Sequence, residues 1–479
     1  MQQPESASFQ RRLNLFDSTA IVAGSMIGSG IFIVSSDIAR LVGSPGWLMA
    51  AWLITGLLTV FAALSYGELA GMFPRAGGQY VYLKEAYNPL TGFLYGWTLF
   101  MVIQTGTIAA VAMAFAKFAG VILPVISEEV VWFHEGFLKL GPVQIVAILS
   151  IVLLTWINSR GIKAGKQVQN AFTSGKVVLL VAFIVIGLGF ATNRDAMTLN
   201  ADGFWTAENF TDGAWHPIGG LALVAALGMA MVGTLFSSDA WNNITFTAGE
   251  VINPRKNIPL SLFLGTLIVT ILYLLANVVY ITVLPLNGHP DGATLAGRGI
   301  SHAIQDRLAS AAIANVFGHY AAIIMAGFIV ISTFGCNNGL ILSGARVYYA
   351  MAEDRLFFRS AGRLNSKGVP ANGLWLQAIW ASLLCLSGTY SQLLDYVVFA
   401  VLIFYALTII GVFLLRRTQP LAERPYRAFG YPVIPALYVL SATLIITILL
   451  VYKPDYTWPG LVIVLVGIPV YYLWRRREA

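Results

Sequence analysis

The chain has little of what a soluble enzyme is built from. Only 11% of its 479 residues are charged, against about 25% in ordinary globular domains. There are five histidines and two cysteines. The cysteines, Cys336 and Cys385, fall in apolar segments, which excludes an extracellular disulfide framework. No Cys or His neighbours them at metal-ligand spacing, and no cofactor is expected. Four of the histidines, His134, His216, His289 and His302, lie in or beside polar loops and read as solvated surface. No His–Asp–Ser set or phosphate loop appears, so an enzyme is not expected. The N-terminal MQQPESASFQRR lacks the apolar core of a cleaved leader, so the first apolar run is expected to be retained.

What remains is 57% hydrophobic, with a mean hydropathy of +0.74. Apolar runs near the roughly 20 residues that cross a bilayer recur along the chain. Twelve spans are expected, near 15–40, 46–73, 90–123, 142–158, 170–191, 216–248, 258–284, 315–350, 373–388, 392–415, 432–452 and 457–474. The sixth and eighth exceed a simple span, so tilt, a break or extension past the membrane is expected. Basic residues alternate in register with these spans. Of 29 Lys and Arg, 21 fall on the side of the N-terminus, counting Arg346 among them; six fall opposite, and Lys117 and Lys176 lie within spans. The positive-inside rule then puts both termini in the cytoplasm of a plasma (inner) membrane protein. The net charge of +7 reads as basic loops, not as a nucleic-acid surface. Residues 1–14 form a cytoplasmic tail. Segment 299–311 is expected as a short helix over the outer mouth.

Two spans are interrupted. GSMIGSGIF, residues 24–32, puts three glycines and two serines into the first. Each Gly weakens a helix by about 1 kcal/mol relative to Ala. Backbone that leaves the helix inside a bilayer must be buried in protein or line a polar cavity. Unwinding at Ile27, Gly28, Ser29 and Gly30 exposes N–H groups and starts a second half-helix, both favourable to an anion. Gly24 and Gly28 also form GxxxG, so close helix packing is the competing reading. The second break, FSSDAWNNITF at 236–246, mixes Phe236, Asp239, Trp241 and Asn242. Its unwound carbonyls suit an ammonium group. A carboxylate at one break and an ammonium at the other describe a zwitterionic amino acid. Asp239 reads equally as a carboxylate satisfied by local backbone, and Phe236 as lid or as packing. Lys176 lies inside the fifth span, where a charge is costly. It either snorkels to the interface or meets an internal partner.

The motifs GSMIGSGIF, PRAGGQYVYLKEAY (74–87), NSRGIKAGKQVQNAFTSGK (158–176), DAWNNITFTAGEVINPRKNIP (239–259) and STFGCNNGLILSGARVYYAMAED (332–354) fall in order. Together the chain resembles the amino acid–polyamine–organocation superfamily, most of all the L-type amino acid transporters and their bacterial relatives. The resemblance implies an all-α membrane protein of twelve helices with a five-plus-five inverted repeat, the first and sixth helices broken at the midplane. The repeats would be 15–191 and 216–415, with two added spans in 432–474. It implies a substrate carboxylate on the main chain of Gly28, Ser29 and Gly30, an ammonium on carbonyls of Met26, Phe236 and Asp239, and Phe236 as outer lid. It implies Lys176 beside Ser332 or Thr333, where sodium-coupled members hold their ion. The activity implied is sodium-independent exchange of neutral L-amino acids across a lipid bilayer. A proton-coupled symporter, or a carrier of cationic amino acids or amines with Asp239 as counter-ion, is the alternative. Ala240 and Asn243 depart from the glycine and larger residue common in relatives. Animal light chains attach to a glycoprotein through a cysteine between the third and fourth spans. Residues 124–141 hold none, so no disulfide-linked glycoprotein partner is expected.

Overall fold

The computed structural model describes residues 11–127, 129–136, 138–387 and 390–478. The part of the expected cytoplasmic tail before residue 11 lies outside the described residues. Helices dominate, and two small antiparallel hairpins, Phe133–Glu135 with Leu138–Leu140 and Glu208–Thr211 with Ala214–Pro217, lie in loops. Among the described residues ten helices are long and apolar enough to cross a membrane. The chain is a multi-pass membrane protein. Four of these helices begin with proline at their first position, Pro45, Pro89, Pro142 and Pro254. The missing N–H costs nothing there, and the fixed φ suits the helix.

The first expected span is split. Helix Leu15–Met26 opens on a capping box, with Asn14 and Asp17 bonding each other's backbone N–H. It ends because Ile27 turns to ψ 92°. A single 3₁₀ turn, Gly30–Phe32, leads into a second helix, Ser35–Val42. Neither piece reaches the length of a membrane span alone. The sixth expected span is likewise interrupted, with helix Gly220–Ser237 stopping at Ser238 and a four-residue helix, Asn243–Phe246, resuming beyond it. Between them Ala240 sits at φ +63°. An L-residue pays about 1–2 kcal/mol in that region, and glycine there would not. The eighth run is not broken: His319–Glu353 is one helix of 35 residues. At 1.5 Å per residue it is about 52 Å long, well beyond the hydrocarbon core. The ninth expected span is a 15-residue helix, Ala371–Cys385.

Two sequence expectations need correction. Segment 299–311 is not one helix, because Gln305 and Asp306 adopt positive φ. A 3₁₀ turn occupies Ile304–Asp306, and the helix begins later, at Leu308–Phe317. Arg346 is not a loop cation. It is buried within His319–Glu353 and paired with Glu250 at 3.0 Å, both 1% exposed.

Candidate functional site

The two breaks lie against each other. A methyl group built on Gly30 would come within 2.7 Å of the Ser237 Cβ and 3.0 Å of its Cα, so only glycine permits this approach. Tyr273, from helix Pro254–Val283, places its hydroxyl 2.9 Å from the Met26 carbonyl and 3.0 Å from the Ser237 carbonyl. One hydroxyl therefore ties the last turn of each helix before its break.

That tyrosine belongs to a polar stripe. Tyr273, Asn277 and Tyr280 are spaced i, i+4, i+7 and share one helix face. Asn277 accepts from the Ser35 hydroxyl at 2.6 Å, and Ser35 in turn accepts from the Trp52 indole at 3.0 Å. Tyr280 donates to the Ile31 carbonyl at 3.0 Å. Tyr273 and Tyr280 on this face thus serve the Met26 and Ile31 carbonyls at the first break, as burial demands.

A second stripe, on helix Ile162–Phe190, has the same spacing: Gln169, Thr173 and Lys176. Thr173 donates to the Ala20 carbonyl at 3.3 Å. Lys176 is 1% exposed. Its ammonium donates to the carbonyl of Gly24 and, at 2.8 Å, to that of Ile27. Its stem does not reach back to the interface. Ser332 approaches the Ile27 and Gly28 carbonyls at 3.4 Å, and the Cys336 thiol donates to the Ser25 carbonyl at 3.0 Å. Thr333 instead bonds carbonyls of its own helix, Ile329 and Val330. A positive charge thus sits against the carbonyls at the end of Leu15–Met26.

On the other side of the break the main chain offers donors. The N–H groups of Gly28, Gly30 and Ile31 have no hydrogen-bond acceptor among the described residues. Ile27, Gly28, Ser29 and Gly30 are all buried. Buried, unpaired N–H groups are rare and mark places where a ligand or water belongs.

At the second break Phe236 is 7% exposed, and its carbonyl accepts from the Asp239 N–H at 3.1 Å. Asp239 accepts from the Tyr405 hydroxyl at 2.6 Å. Trp241 packs edge-on to Tyr66, ring centres 4.7 Å apart, and lies 5.2 Å from Tyr405. Asn242 donates to Gln79 at 2.9 Å, and Gln79 donates onward to Thr408 at 3.0 Å. Asp239, Trp241 and Asn242 therefore share contacts with Tyr66, Gln79 and Tyr405, whereas Met26, Ile27, Lys176 and Ser332 gather at the first break. Two cavities flank Asp239, of about 10 and 20 Å³. Each has room for about one water.

Both ends of this arrangement are clasped. On the side of the N-terminus the N–H groups of Arg12 and Leu13 donate to the Glu250 carbonyl at 2.8 and 2.9 Å, and the Ile252 N–H donates back to Leu13 at 2.8 Å. At the far end of Ser35–Val42, Arg40 pairs with Asp37, with Asp306 at 2.8 Å, and donates to the Ser301 carbonyl at 2.6 Å.

Broken helices that lean on each other, with Tyr273, Tyr280 and Lys176 on the carbonyls they release, are consistent with a membrane carrier. A family model described as amino acid permease matches residues 13–471. The chain belongs to the amino acid permease family. That family is one of transporters, not enzymes, within the superfamily that the motifs resemble. The permease is 29% identical over 485 residues to the human b(0,+)-type amino acid transporter 1, covering 99% of this chain and 90% of the relative. It is 28% identical over 479 residues to the human large neutral amino acids transporter small subunit 2, covering 98% and 82%. The mouse b(0,+)-type amino acid transporter 1 is 26% identical over 477 residues, covering 98% and 89%.

Sequence reasoning missed several residues that this permease brings to the site: Tyr273, Asn277, Tyr280, Cys336, Gln79 and Tyr405. The first three carried a readable signal, because three polar side chains at helical spacing in an apolar run mark one inward face. Tyr405 carried none, since a single tyrosine in a span is ordinary.

Proposed function

We propose that this permease exchanges neutral L-amino acids without sodium, by alternating access between the two clasped ends. The observation that carries the reading is the row of unpaired N–H groups at Gly28, Gly30 and Ile31, with Lys176 braced on the carbonyls behind them. A substrate carboxylate would complete those donors. The ammonium would lie toward the second break, on carbonyls including Phe236 and Asp239, with Met26 sharing its carbonyl with Tyr273. Phe236 would close over the outer side. The lysine supplies a fixed positive charge where a coupling cation would otherwise be needed to hold the released carbonyls.

The one-water cavities beside Asp239 suit a closed conformation, so loading requires the breaks to move apart. The clasp of Glu250 on Arg12 and Leu13 and the clasp at Arg40 are natural points to release in turn. We take the architecture to be twelve spans, counting the split first helix and Ala371–Cys385 with the ten long ones, arranged as inverted repeats over 15–191 and 216–415, with 432–474 appended. Both termini are assigned to the cytoplasm by the basic loops. A disulfide-linked partner is not part of this reading, because residues 124–141 contain no cysteine and both cysteines are buried.

A second reading rests on Asp239. A buried carboxylate beside the cavities could serve as counter-ion to a cationic side chain, which would make the permease a carrier of cationic amino acids. Counterflow in proteoliposomes separates the cases. Vesicles preloaded with a neutral amino acid should take up labelled neutral amino acids equally with and without sodium. Uptake into empty vesicles driven by a proton gradient would overturn exchange. Preference for lysine or arginine, lost in Asp239→Asn, would establish the second reading.

A further inference from the structure

One pocket, larger than those beside Asp239, is remote from the breaks. At the basic end of the bundle, segment 84–90, the turn 354–356 and the end of helix Pro454–Glu478 line an open pocket of about 710 Å³. Three cations line it, Lys84, Arg355 and Arg475, against one carboxylate, Asp354. That carboxylate is committed, accepting from Lys84 at 2.6 Å and from the Tyr80 hydroxyl at 2.7 Å. Among the described residues no carboxylate pairs with Arg355 or Arg475. The cavity therefore presents two uncompensated guanidinium groups, the side chain best suited to phosphate oxygens.

Its position decides the kind of phosphate. Tyr471 and Tyr472 complete the wall, and they stand at the end of the last membrane helix, where aromatic rings favour the headgroup level. The outer face of the same helix is apolar and exposed, with Val462 at 54% and Leu473 at 61%. A ligand with a phosphate in the cavity would have a surface for hydrocarbon chains running away from it along this helix. Free phosphate uses only the first feature.

We propose that this cavity binds the phosphate headgroup of an anionic phospholipid, with Arg355 and Arg475 as its principal ligands. The assignment depends on the membrane placement of the last helix and not on which amino acid is carried. At about fivefold in affinity per basic residue at a membrane surface, losing both arginines should weaken binding about thirtyfold.

The test uses the full-length permease in detergent, with phosphatidylglycerol, phosphatidylcholine or inorganic phosphate added, read by native mass spectrometry and thermal unfolding. Phosphatidylglycerol should be retained in preference and should raise the unfolding temperature. Arg355→Asn with Arg475→Gln should abolish that preference; asparagine is chosen because Arg355 has φ +59°, which Asn tolerates. Should the double variant not fold, Arg475→Gln alone should lower the preference about fivefold. Arg363→Gln with Lys367→Gln removes two charges from the same end outside the cavity and should change nothing. Equal retention of the two lipids by the native chain overturns the site. So does an equal loss in the control variant, which would mean diffuse charge attraction. Stabilisation by inorganic phosphate matching that by phosphatidylglycerol would overturn the lipid assignment.

Discussion

Replacing Lys176 by methionine keeps the stem and deletes the charge. The ammonium makes two bonds to the carbonyls of Gly24 and Ile27, each worth about 1.5–3 kcal/mol for a charged donor. Against this stands the cost of burying an ammonium, several kcal/mol, which the methionine does not incur. The two nearly cancel in global stability, so the variant should fold and unfold thermally close to the native permease. They do not cancel in the transport cycle. The Ile27 carbonyl is available only because the helix is broken there, so at least one bond is specific to the braced break. Losing 1.5–3 kcal/mol from one conformation alone shifts its population by about 10- to 150-fold. Initial counterflow rates, at matched amounts of reconstituted protein, should fall by at least tenfold. Undiminished exchange in Lys176→Met would refute the brace and leave the lysine as an incidental buried cation.

Tyr273→Phe removes the single hydroxyl shared by the Met26 and Ser237 carbonyls. It should cost about 1–3 kcal/mol in thermal or denaturant unfolding and at least fivefold in exchange; no change in either would mean the two breaks are held elsewhere. Arg346→Met strands Glu250 in the interior and should destabilise by about 3–5 kcal/mol, while Glu250→Leu added to it should recover most of the loss; unfolding of the single and double variants distinguishes a pair from two independent effects. His302 packs edge-on against Phe210, ring centres 4.5 Å apart, and burial, then Arg40 and His289, hold its pKa below the usual 6.5. With the folded value below the unfolded one, its neutral form favours the packed loop above pH 6.5, and that contribution is lost as pH falls through the folded value. Hydrogen-exchange protection of residues 203–217, taken relative to the intrinsic rate at each pH, should fall between pH 7.5 and 5, and His302→Gln should flatten that fall; a loss of protection that survives the substitution must come from another group.

How far the sequence could be read follows from where its local signals conflict. Gly24, Gly28 and Gly30 contradict helix propensity inside an apolar run, and a contradiction of that kind is visible in one dimension. The helix ends where they say it should. Lys176 was legible for the same reason, as a charge where none is affordable without a partner. What escaped were the partners. Gln169, Thr173, Tyr273, Asn277 and Tyr280 drew no reading from the sequence. Only Tyr273 and Tyr280 among them reach carbonyls at the breaks, those of Met26, Ser237 and Ile31; Asn277 meets the Ser35 hydroxyl, and Gln169 and Thr173 meet each other. The candidate site thus has a conspicuous half, the breaks, and an inconspicuous half, the side chains on neighbouring helices that bond their carbonyls.

The two halves are not independent. Inside a bilayer, a broken helix without its stripes would leave several unpaired backbone groups, each costly. Satisfying every one of them would leave nothing for a substrate to bind. Here the stripes serve the carbonyls of Met26, Ile27 and Ile31, while the N–H groups of Gly28, Gly30 and Ile31 keep no acceptor among the described residues. The division by sign is the informative feature. Carbonyls are bonded by Lys176 and the tyrosines and donors are left open, which is the pattern the proposed carboxylate site would need. An ammonium-first site would need the reverse, with carbonyls left open and N–H groups capped. Asp239 does not reverse it, because its carboxylate already accepts from Tyr405. The charge pattern at the first break thus favours a ligand led by its carboxylate, and the amines that lack one should compete poorly for it.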